Sequence, residues 1–489
     1  MHLFALLSKT AREYPLAEAF ISEEGRCTFA QLHTDALGLA AHLYLEGIRP
    51  GMRVALACGG PAFVQAAFAL LRLGAVCVPL NRRLSPAELK LQIEHAGASA
   101  LLYDDEPHAS LSAALQLRTM HIPGDCKKPL SAAALPPVPS AADPACIIYT
   151  AGTSVSPRGV LLSHGNLLAN SANYCAACGF APGQRELATT ALFHISTFSR
   201  LFTYVRSATA CYLVERFSPD ACFEIIRREK ITSITQTPTM YHMLLRSSPK
   251  LRRAGADLSR VITGASAMSP AERKTLRDMF PAADLYDIYG QTEAGPGISV
   301  LGPQDFFRRA DSVGKPMPCV QVAIVDEKGR SLAANAIGEI TCRGRNIMQG
   351  YFRDEAATRA VLVRGRLYTG DMGYMDEEGF LYICGRKKDI IITGGINVYP
   401  PEIENILRLH PGIEDCAVFG VPDDLWGEGI VAAVVLRGAT VDELQTHCRE
   451  NLAAFKCPKL ILPISEIPRN AARKVVREAL VSLWKERPT

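Results

Sequence analysis

Apolar and polar positions along the chain follow two periods in turn. In 28–46, Leu32, Ala36, Leu39, Leu43 and Leu45 fall near helical spacing behind Thr28, a candidate cap, and Gly47 ends the run. Residues 53–57 form a short apolar stretch of strand type, 61–73 a second helix closed by Gly74, and 75–79 a second strand. A third helix opens at Ser85-Pro86 and reaches His95, and 98–103 is a third strand. Strands alternating with helices at this pitch predict an open, largely parallel α/β sheet. Residues 131–144 carry four prolines and no period, which reads as a surface connector. Beyond it the pattern predicts a helix over 163–177, a short strand over 191–193 running into His194, and strands at 231–234, 260–263 and 285–289. A helix over 239–245 lies among these strands.

From about residue 310 the character changes. Short strands at 320–326, 338–342 and 381–385, separated by turn residues, suggest a smaller β-rich unit. After Asp389, strands at 390–392, 415–421 and 429–436 alternate with helices at 402–409 and 441–451. A boundary falls near Lys388, giving expected domains of 1–387 and 388–489.

Composition narrows the classes. At 489 residues the chain is long enough for several domains, and 48% apolar content fills large cores. A net charge of +4 on this length gives no reason to expect a nucleic-acid partner or an anionic membrane surface. No apolar run approaches the roughly 18 residues of a membrane span. The start of the chain lacks a basic leader and a long apolar core. The 15 cysteines are scattered, mostly inside apolar runs, as buried reduced thiols are, and a reducing, cytoplasmic setting follows. The one Cys-x-x-Cys, Cys175 and Cys178, has no second pair at zinc spacing.

The candidate chemistry starts at 147–160. Ile147-Ile148 runs into a loop holding Thr150, Gly152, Thr153, Ser154, Ser156, Pro157 and Arg158, and an apolar run resumes at Val160. Hydroxyls, backbone N–H groups and one cation between two strands suit a polyphosphate, although a plain polar turn has the same composition. It is not a Walker loop, since no Gly-Lys-Ser/Thr follows Gly152.

Taken together, several loops resemble the acyl-adenylate-forming superfamily: acyl-CoA synthetases, adenylation domains of peptide synthetases, and firefly luciferase. The stretches are 71–80, 149–159, Tyr289-Gly-Gln-Thr-Glu293, Tyr368-Thr-Gly-Asp371, Gly385-Arg-Lys-Lys-Asp389 and 468–477, in the family's order over essentially the whole chain. The resemblance implies a large N-terminal domain of open α/β sheets with a β-rich subdomain, and a small rotating α+β C-terminal domain. It implies ATP, Mg²⁺ and coenzyme A as co-substrates. A carboxylate is a poor electrophile; transfer of AMP to it makes a mixed anhydride, which a thiol then displaces.

By the same resemblance, Thr150, Gly152, Thr153, Ser154 and Arg158 form the β/γ-phosphate loop. Thr292 is the α-phosphate donor, and Glu293 the Mg²⁺ ligand, a hard oxygen donor suited to that ion. Gly264, Ala265, Ser266, Tyr289 and Gly290 line the adenine slot. Asp371 clamps the ribose hydroxyls, and Arg386 lies near ribose and phosphate. Lys388 is the hinge. Lys474 bridges the attacking carboxylate and the α-phosphate, and Gly394 and Gly395 edge the pantetheine tunnel. Local readings compete for some of these: a helix cap for Thr292-Glu293, a turn aspartate for Asp371, a core aromatic for Tyr289, and solvated lysines for Lys388 and Lys474.

His194 matches the pocket-entry histidine, against the alternative of a satisfied core histidine. No acidic residue lies between Thr190 and Tyr212 to pair with an ammonium, which disfavours an amino acid. The apolar neighbours Ile195, Phe198, Leu201 and Phe202 fit an uncharged aliphatic or aromatic acid, while Arg200 leaves open a second carboxylate. Four departures from the family pattern stand out: Ala151 for a serine, Val155 for a glycine, Arg158 for a lysine, and Arg473 for a glycine. The expected activity is that of an acyl-CoA synthetase. The rivals are a stand-alone enzyme loading a carrier protein's pantetheine and a degenerate member without turnover. As partners the reading names a small-molecule carboxylic acid, with an acyl carrier protein and a second copy of the chain as further candidates.

Overall fold

The computed structural model describes residues 1–104, 117–122, 135–150, 158–245, 258–266, 268, 270–423, 425–469 and 475–486. The chain divides into two compact units. The first holds 1–150, 156–322 and 342–367; the second holds 323–341 and 368–489. The expected boundary at Lys388 therefore falls inside the second unit.

Two large sheets organise the first unit. One has nine strands in the order Lys315–Pro316, Gly297–Leu301, Asp284–Gly290, Arg260–Gly264, Ser233–Gln236, Arg185–Ala188, Ala210–Leu213, Glu18–Ser22, Gly25–Thr28. The run from Asp284–Gly290 to Glu18–Ser22 is parallel throughout. The other has seven strands, Gly350–Tyr351, Arg158–Ser163, Pro144–Thr150, Val76–Pro79, Arg53–Ala57, Ala100–Tyr103 and Arg118–His121. Its last five are parallel, and the hairpin of Pro144–Thr150 with Arg158–Ser163 is antiparallel. Mixed sheets with a parallel centre bury both faces, which is why these strands read as short continuous apolar runs.

The helices are capped as their sequences predict. Thr28 and Ser85 each form a capping box, with Gln31 and Glu88, and Gly74 and Gly97 close their helices in the left-handed region. One expectation is corrected. Residues 191–193 form a turn rather than a strand: the His194 N–H donates to the Ala191 carbonyl at 3.1 Å, and a helix, Ile195–Ser207, begins at once. That helix is buried on nearly every side, from Phe198 to Arg200 and Tyr204, so it shows no amphipathic period to betray it. Phe198 and Phe202 pack edge-on against Phe63 and Phe68, locking it into the core.

A five-stranded sheet is built from Val320–Val325, Gly338–Gly344, Arg366–Met375, Leu362–Val363 and Leu381–Arg386. The C-terminal part has its own five-stranded sheet, whose long hairpin pairs Ile413–Asp423 with Gly427–Leu436. A separate core, including Ile403, Leu407, Val418 and Val434, packs against it. Among the described residues no helix is long and apolar enough to cross a membrane.

Candidate active site

In a parallel α/β sheet, ligands bind at the carboxyl ends of the strands. Here Arg260–Gly264 and Asp284–Gly290 end side by side, with Gly264 in register with Ile288. That sets Gly264 next to Tyr289, which packs half-buried against the core. Both flanking glycines are obligatory: a Cβ on Gly264 would sit 2.7 Å from the Ile288 carbonyl, and one on Gly290 would collide with the Pro296 carbonyl. Ala265 adopts φ +72°, a left-handed conformation that turns Ala265 and Ser266 out to solvent.

Past Gly290 the chain makes a tight 3₁₀ turn, Thr292–Ala294, closed by Gly295 at φ +72°. The turn is braced from outside. Asn346 Nδ2 donates to the carbonyls of Ala294 (2.6 Å) and Gly297 (2.9 Å), and the Met348 N–H donates to that of Glu293 (2.9 Å). The Glu293 side chain accepts a hydrogen bond from the Tyr351 hydroxyl at 2.8 Å. Burial, and the Glu293 carboxylate beside it, raise the Tyr351 phenol well above its ordinary value, so it remains a donor. The Arg158 guanidinium lies 5.0 Å from the centre of the same ring. Tyr351 thus joins Glu293 to Arg158. Sequence reasoning missed it, because a tyrosine after Gly350 carries no chemistry of its own until the fold brings it to a carboxylate.

Thr150 and Arg158 are cross-strand partners at the end of the Pro144–Ser163 hairpin where its two strands are joined. Gly152, Thr153 and Ser154 of the expected phosphate loop, with Ala151 and Val155, lie outside the described residues, as do Arg473 and Lys474. Among the described residues no three His, Cys, Asp or Glu side chains gather as a metal cage. A single carboxylate such as Glu293, a hard oxygen donor, would suit Mg²⁺ held mainly by phosphate oxygens and water; its chemistry fits that ion.

His194 is exposed and caps the helix it precedes; its Nδ1 meets Ser196 Oγ at 2.8 Å and accepts from the Ser196 N–H. It is not a core histidine. Arg200, nearly two turns on, is 2% exposed. Its side chain folds back toward the start of the helix, where Nε donates to the Ser196 carbonyl at 2.8 Å and an Nη reaches Thr190 Oγ1 at 3.4 Å.

The second unit holds the remaining candidates. Asp371 and Arg386 are cross-strand partners, and the Arg386 Nε lies 2.8 Å from the buried Asp371 carboxylate. Thr369 Oγ1 accepts from the Asp371 N–H and donates to the Ile340 carbonyl, which sets the Thr369-Gly370-Asp371 turn. Lys387 pairs with Glu339 at 2.7 Å, whereas Lys388, in the one-turn segment Lys387–Asp389, is exposed. Gly394 and Gly395 have φ +57° and +78°; the face of Trp426 covers the first and nothing stands within 4 Å of a Cβ on the second.

Residues 7–352 match the sequence profile of the AMP-binding enzymes, and 402–474 that of the AMP-binding enzyme C-terminal domain. The chain belongs to the AMP-binding enzyme family. Relatives within it include a 2-succinylbenzoate–CoA ligase of Bacillus cytotoxicus, 33% identical over 96% of both chains, and a feruloyl-CoA synthase of an Amycolatopsis species, 34% identical over 96% of both. Among solved structures, o-succinylbenzoate CoA synthetase from Bacillus subtilis superposes with a TM-score of 0.88 at 30% identity, covering 97% of each chain, in a complex with its acyl-adenylate intermediate. The same enzyme is known with ATP and magnesium ion. The two-part α/β fold of this AMP-binding enzyme is that of its relatives.

Proposed function

We infer that this protein is an ATP-dependent acid–CoA ligase, which adenylates a carboxylic acid and passes the acyl group to the thiol of coenzyme A. The observation that carries the reading is the braced Thr292–Glu293 turn beside Tyr289 and Gly264, inside a chain that matches AMP-binding enzymes over both of its parts. In the first step a carboxylate oxygen attacks the α-phosphorus of ATP, the bond to the β-phosphate oxygen breaks, and pyrophosphate leaves. Thr292 donates to the α-phosphate, and Thr150, Gly152, Thr153, Ser154 and Arg158 hold the β- and γ-phosphates. Charge builds on oxygens there, so preorganised donors lower the barrier more than they tighten binding. Glu293 holds Mg²⁺, which supplies charge neutralisation, and the Tyr351 hydroxyl orients that carboxylate. Gly264, Ala265, Ser266, Tyr289 and Gly290 form the adenine slot. Asp371 receives the ribose hydroxyls, and Arg386, already paired with it, sets its rotamer. Lys474 bridges carboxylate and phosphate. In the second step the thiolate attacks the acyl carbon and AMP leaves. A rotation of 388–489 about Lys388 brings Gly394 and Gly395 to the pantetheine arm.

The acid is aliphatic or aromatic, entering past His194. The acceptor is coenzyme A, in keeping with the relatives' names, and the setting is the cytoplasm, where both co-substrates are found. The test is pyrophosphate release across a panel of carboxylic acids, with and without coenzyme A. Release that depends on the acid, with a thioester formed only when the thiol is present, is expected. Absence of carboxylate-dependent exchange with every acid would identify a binding protein without turnover. Discharge by a carrier protein but not by free coenzyme A would reassign the acceptor.

A further inference from the structure

The chain is fastened on both sides of Lys388 and loose at Lys388 itself. On the amino side, Arg386 pairs with Asp371, and the Lys387 ammonium lies 2.7 Å from the Glu339 carboxylate. Glu339 stands on strand Gly338–Gly344, is 9% exposed, and accepts the Gly370 N–H with its other oxygen at 3.2 Å. It therefore joins Lys387 to the turn that carries Asp371.

On the carboxyl side, the Asp389 carboxylate accepts from Arg477 Nη1 at 3.0 Å. Arg477 opens the helix Arg477–Glu486. Its Nη2 donates to Glu404 at 3.0 Å and its Nε to the Val418 carbonyl at 3.1 Å. Glu404, buried on the helix Pro400–Arg408, also accepts the Val418 N–H. Asp389 is thus tied to the C-terminal sheet through strand Ile413–Asp423, and Ile391, two residues on, is buried in the core of that sheet.

Of three consecutive residues, the first is held by one five-stranded sheet and the third by another, and no strand of one sheet pairs with a strand of the other. The middle residue, Lys388, is exposed, and among the described residues its side chain has no ion pair or hydrogen bond. Hydrogen bonds between charged groups are the stronger kind, and each fastening here has a buried carboxylate at its root. The two have opposite polarity. Lys387 seeks a carboxylate and Asp389 a guanidinium, so neither can take the other's partner and the register of the segment is fixed.

We propose that Glu339 and Arg477 are positioning residues for thioester formation: acting through Lys387 and Asp389, they hold the chain up to each side of Lys388 and confine the rotation of 388–489 to that one residue. The proposal rests on the ligase reading and on the hinge within it. A rotation shared among several loose residues has many end points, whereas one taken up by a single residue between two fastened neighbours has few. Neither Glu339 nor Arg477 touches a reacting atom.

The experiment measures the two half-reactions separately, with Lys388→Pro placed in the wild-type protein and in the double variant Glu339→Gln/Asp389→Asn. The double variant leaves no buried charge alone, since Arg477 keeps Glu404 and glutamine keeps an acceptor for the Gly370 N–H. In the wild-type background the proline is expected to lower kcat for thioester formation from supplied acyl-AMP at least roughly tenfold, with adenylation and the KM for coenzyme A near unchanged. In the double variant the same proline should cost less than about threefold, because neighbouring residues then share the rotation. An undiminished penalty there, or no penalty in either background, would overturn the proposal. If the double variant does not fold, Glu339→Gln alone decides, with the penalty expected to shrink at least about twofold. If no acid releases pyrophosphate, the ligase reading fails, and trypsin then tests the two fastenings by themselves. Trypsin cuts after Lys387 and Lys388, in a segment that must open locally before it is cleaved. Cleavage there should be about fivefold faster in the double variant at an unchanged thermal midpoint. Equal rates would refute the fastening.

Discussion

The two halves of one strand-end row differ in how their polar groups are satisfied. At the half proposed to hold the nucleotide, Glu293, Tyr351, Asn346 and Asn170 each make at least one hydrogen bond, leaving only Asn346 Oδ1 and Asn170 Nδ2 of these side chains' buried atoms without a partner, and the carbonyls of Glu293, Ala294 and Gly297 are closed by side chains or backbone. At the other half, the hydroxyls of Ser199, Thr203 and Tyr204 on the helix Ile195–Ser207, and of Thr263, make none. A buried polar group without a partner costs about 1–3 kcal/mol, so the second region is the less completely satisfied of the two.

This contrast can be broken in several ways. The largest effect is expected where charge develops. Lys474→Ala should lower adenylate formation by about 10³-fold while thioester formation from supplied acyl-AMP stays near wild type, measured by pyrophosphate exchange and by thiol consumption. Equal loss in both would remove Lys474 from the first step. Lys388→Pro is the mirror experiment: adenylation spared, thioester formation down at least roughly tenfold, because proline locks φ at the position proposed as the hinge.

Two histidines sharpen the comparison through pH. His164 is fully buried behind the phosphate hairpin, where its Nδ1 accepts the Leu3 N–H. Burial, with the neighbouring His2, lowers its pKa to about 4. The unfolded chain takes up this proton near 6.5 and the folded chain only near 4, so stability is lost as pH falls between those values, by up to about 3 kcal/mol. His2 is lowered as well and acts in the same direction. Urea midpoints measured at pH 7, 5.5 and 4.5 should fall, and His164→Gln should flatten that slope. An unchanged slope in the variant would show that other groups carry the acid sensitivity.

The smallest effect belongs to the brace. Tyr351→Phe removes one hydrogen bond to Glu293, worth about 1 kcal/mol, and should raise the magnesium concentration needed for half-maximal rate about fivefold. A variant indistinguishable from wild type would mean that Glu293 is oriented by the turn alone.

What could be read from the chain depended on where each signal lay. The helices of 28–96 announced themselves by caps and period, since one face of each meets solvent. Ile195–Ser207 did not, because burial on all sides erases the period, and the strand expected at 191–193 filled the gap wrongly. The helix Leu3–Glu13 was passed over, and the placement of Glu18–Ser22 beside Ala210–Leu213 is a long-range pairing that no local pattern encodes. At the candidate site, Glu293, Asp371 and Arg386 stood out because their motifs are local. The roles of Tyr351 and Asn346 emerge only when distant segments meet.

The glycines at the two strand ends have a consequence for inheritance. At Gly290 the obstacle is a backbone carbonyl, which cannot swing aside as a side chain would, and at Gly264 a Cβ would press on another. Every missense change there is therefore equivalent, from alanine to tryptophan, and chemistry cannot soften it. In a saturation library of this gene, both codons should tolerate only synonymous change. Gly395 has open space but a left-handed backbone, so asparagine there should survive where valine does not.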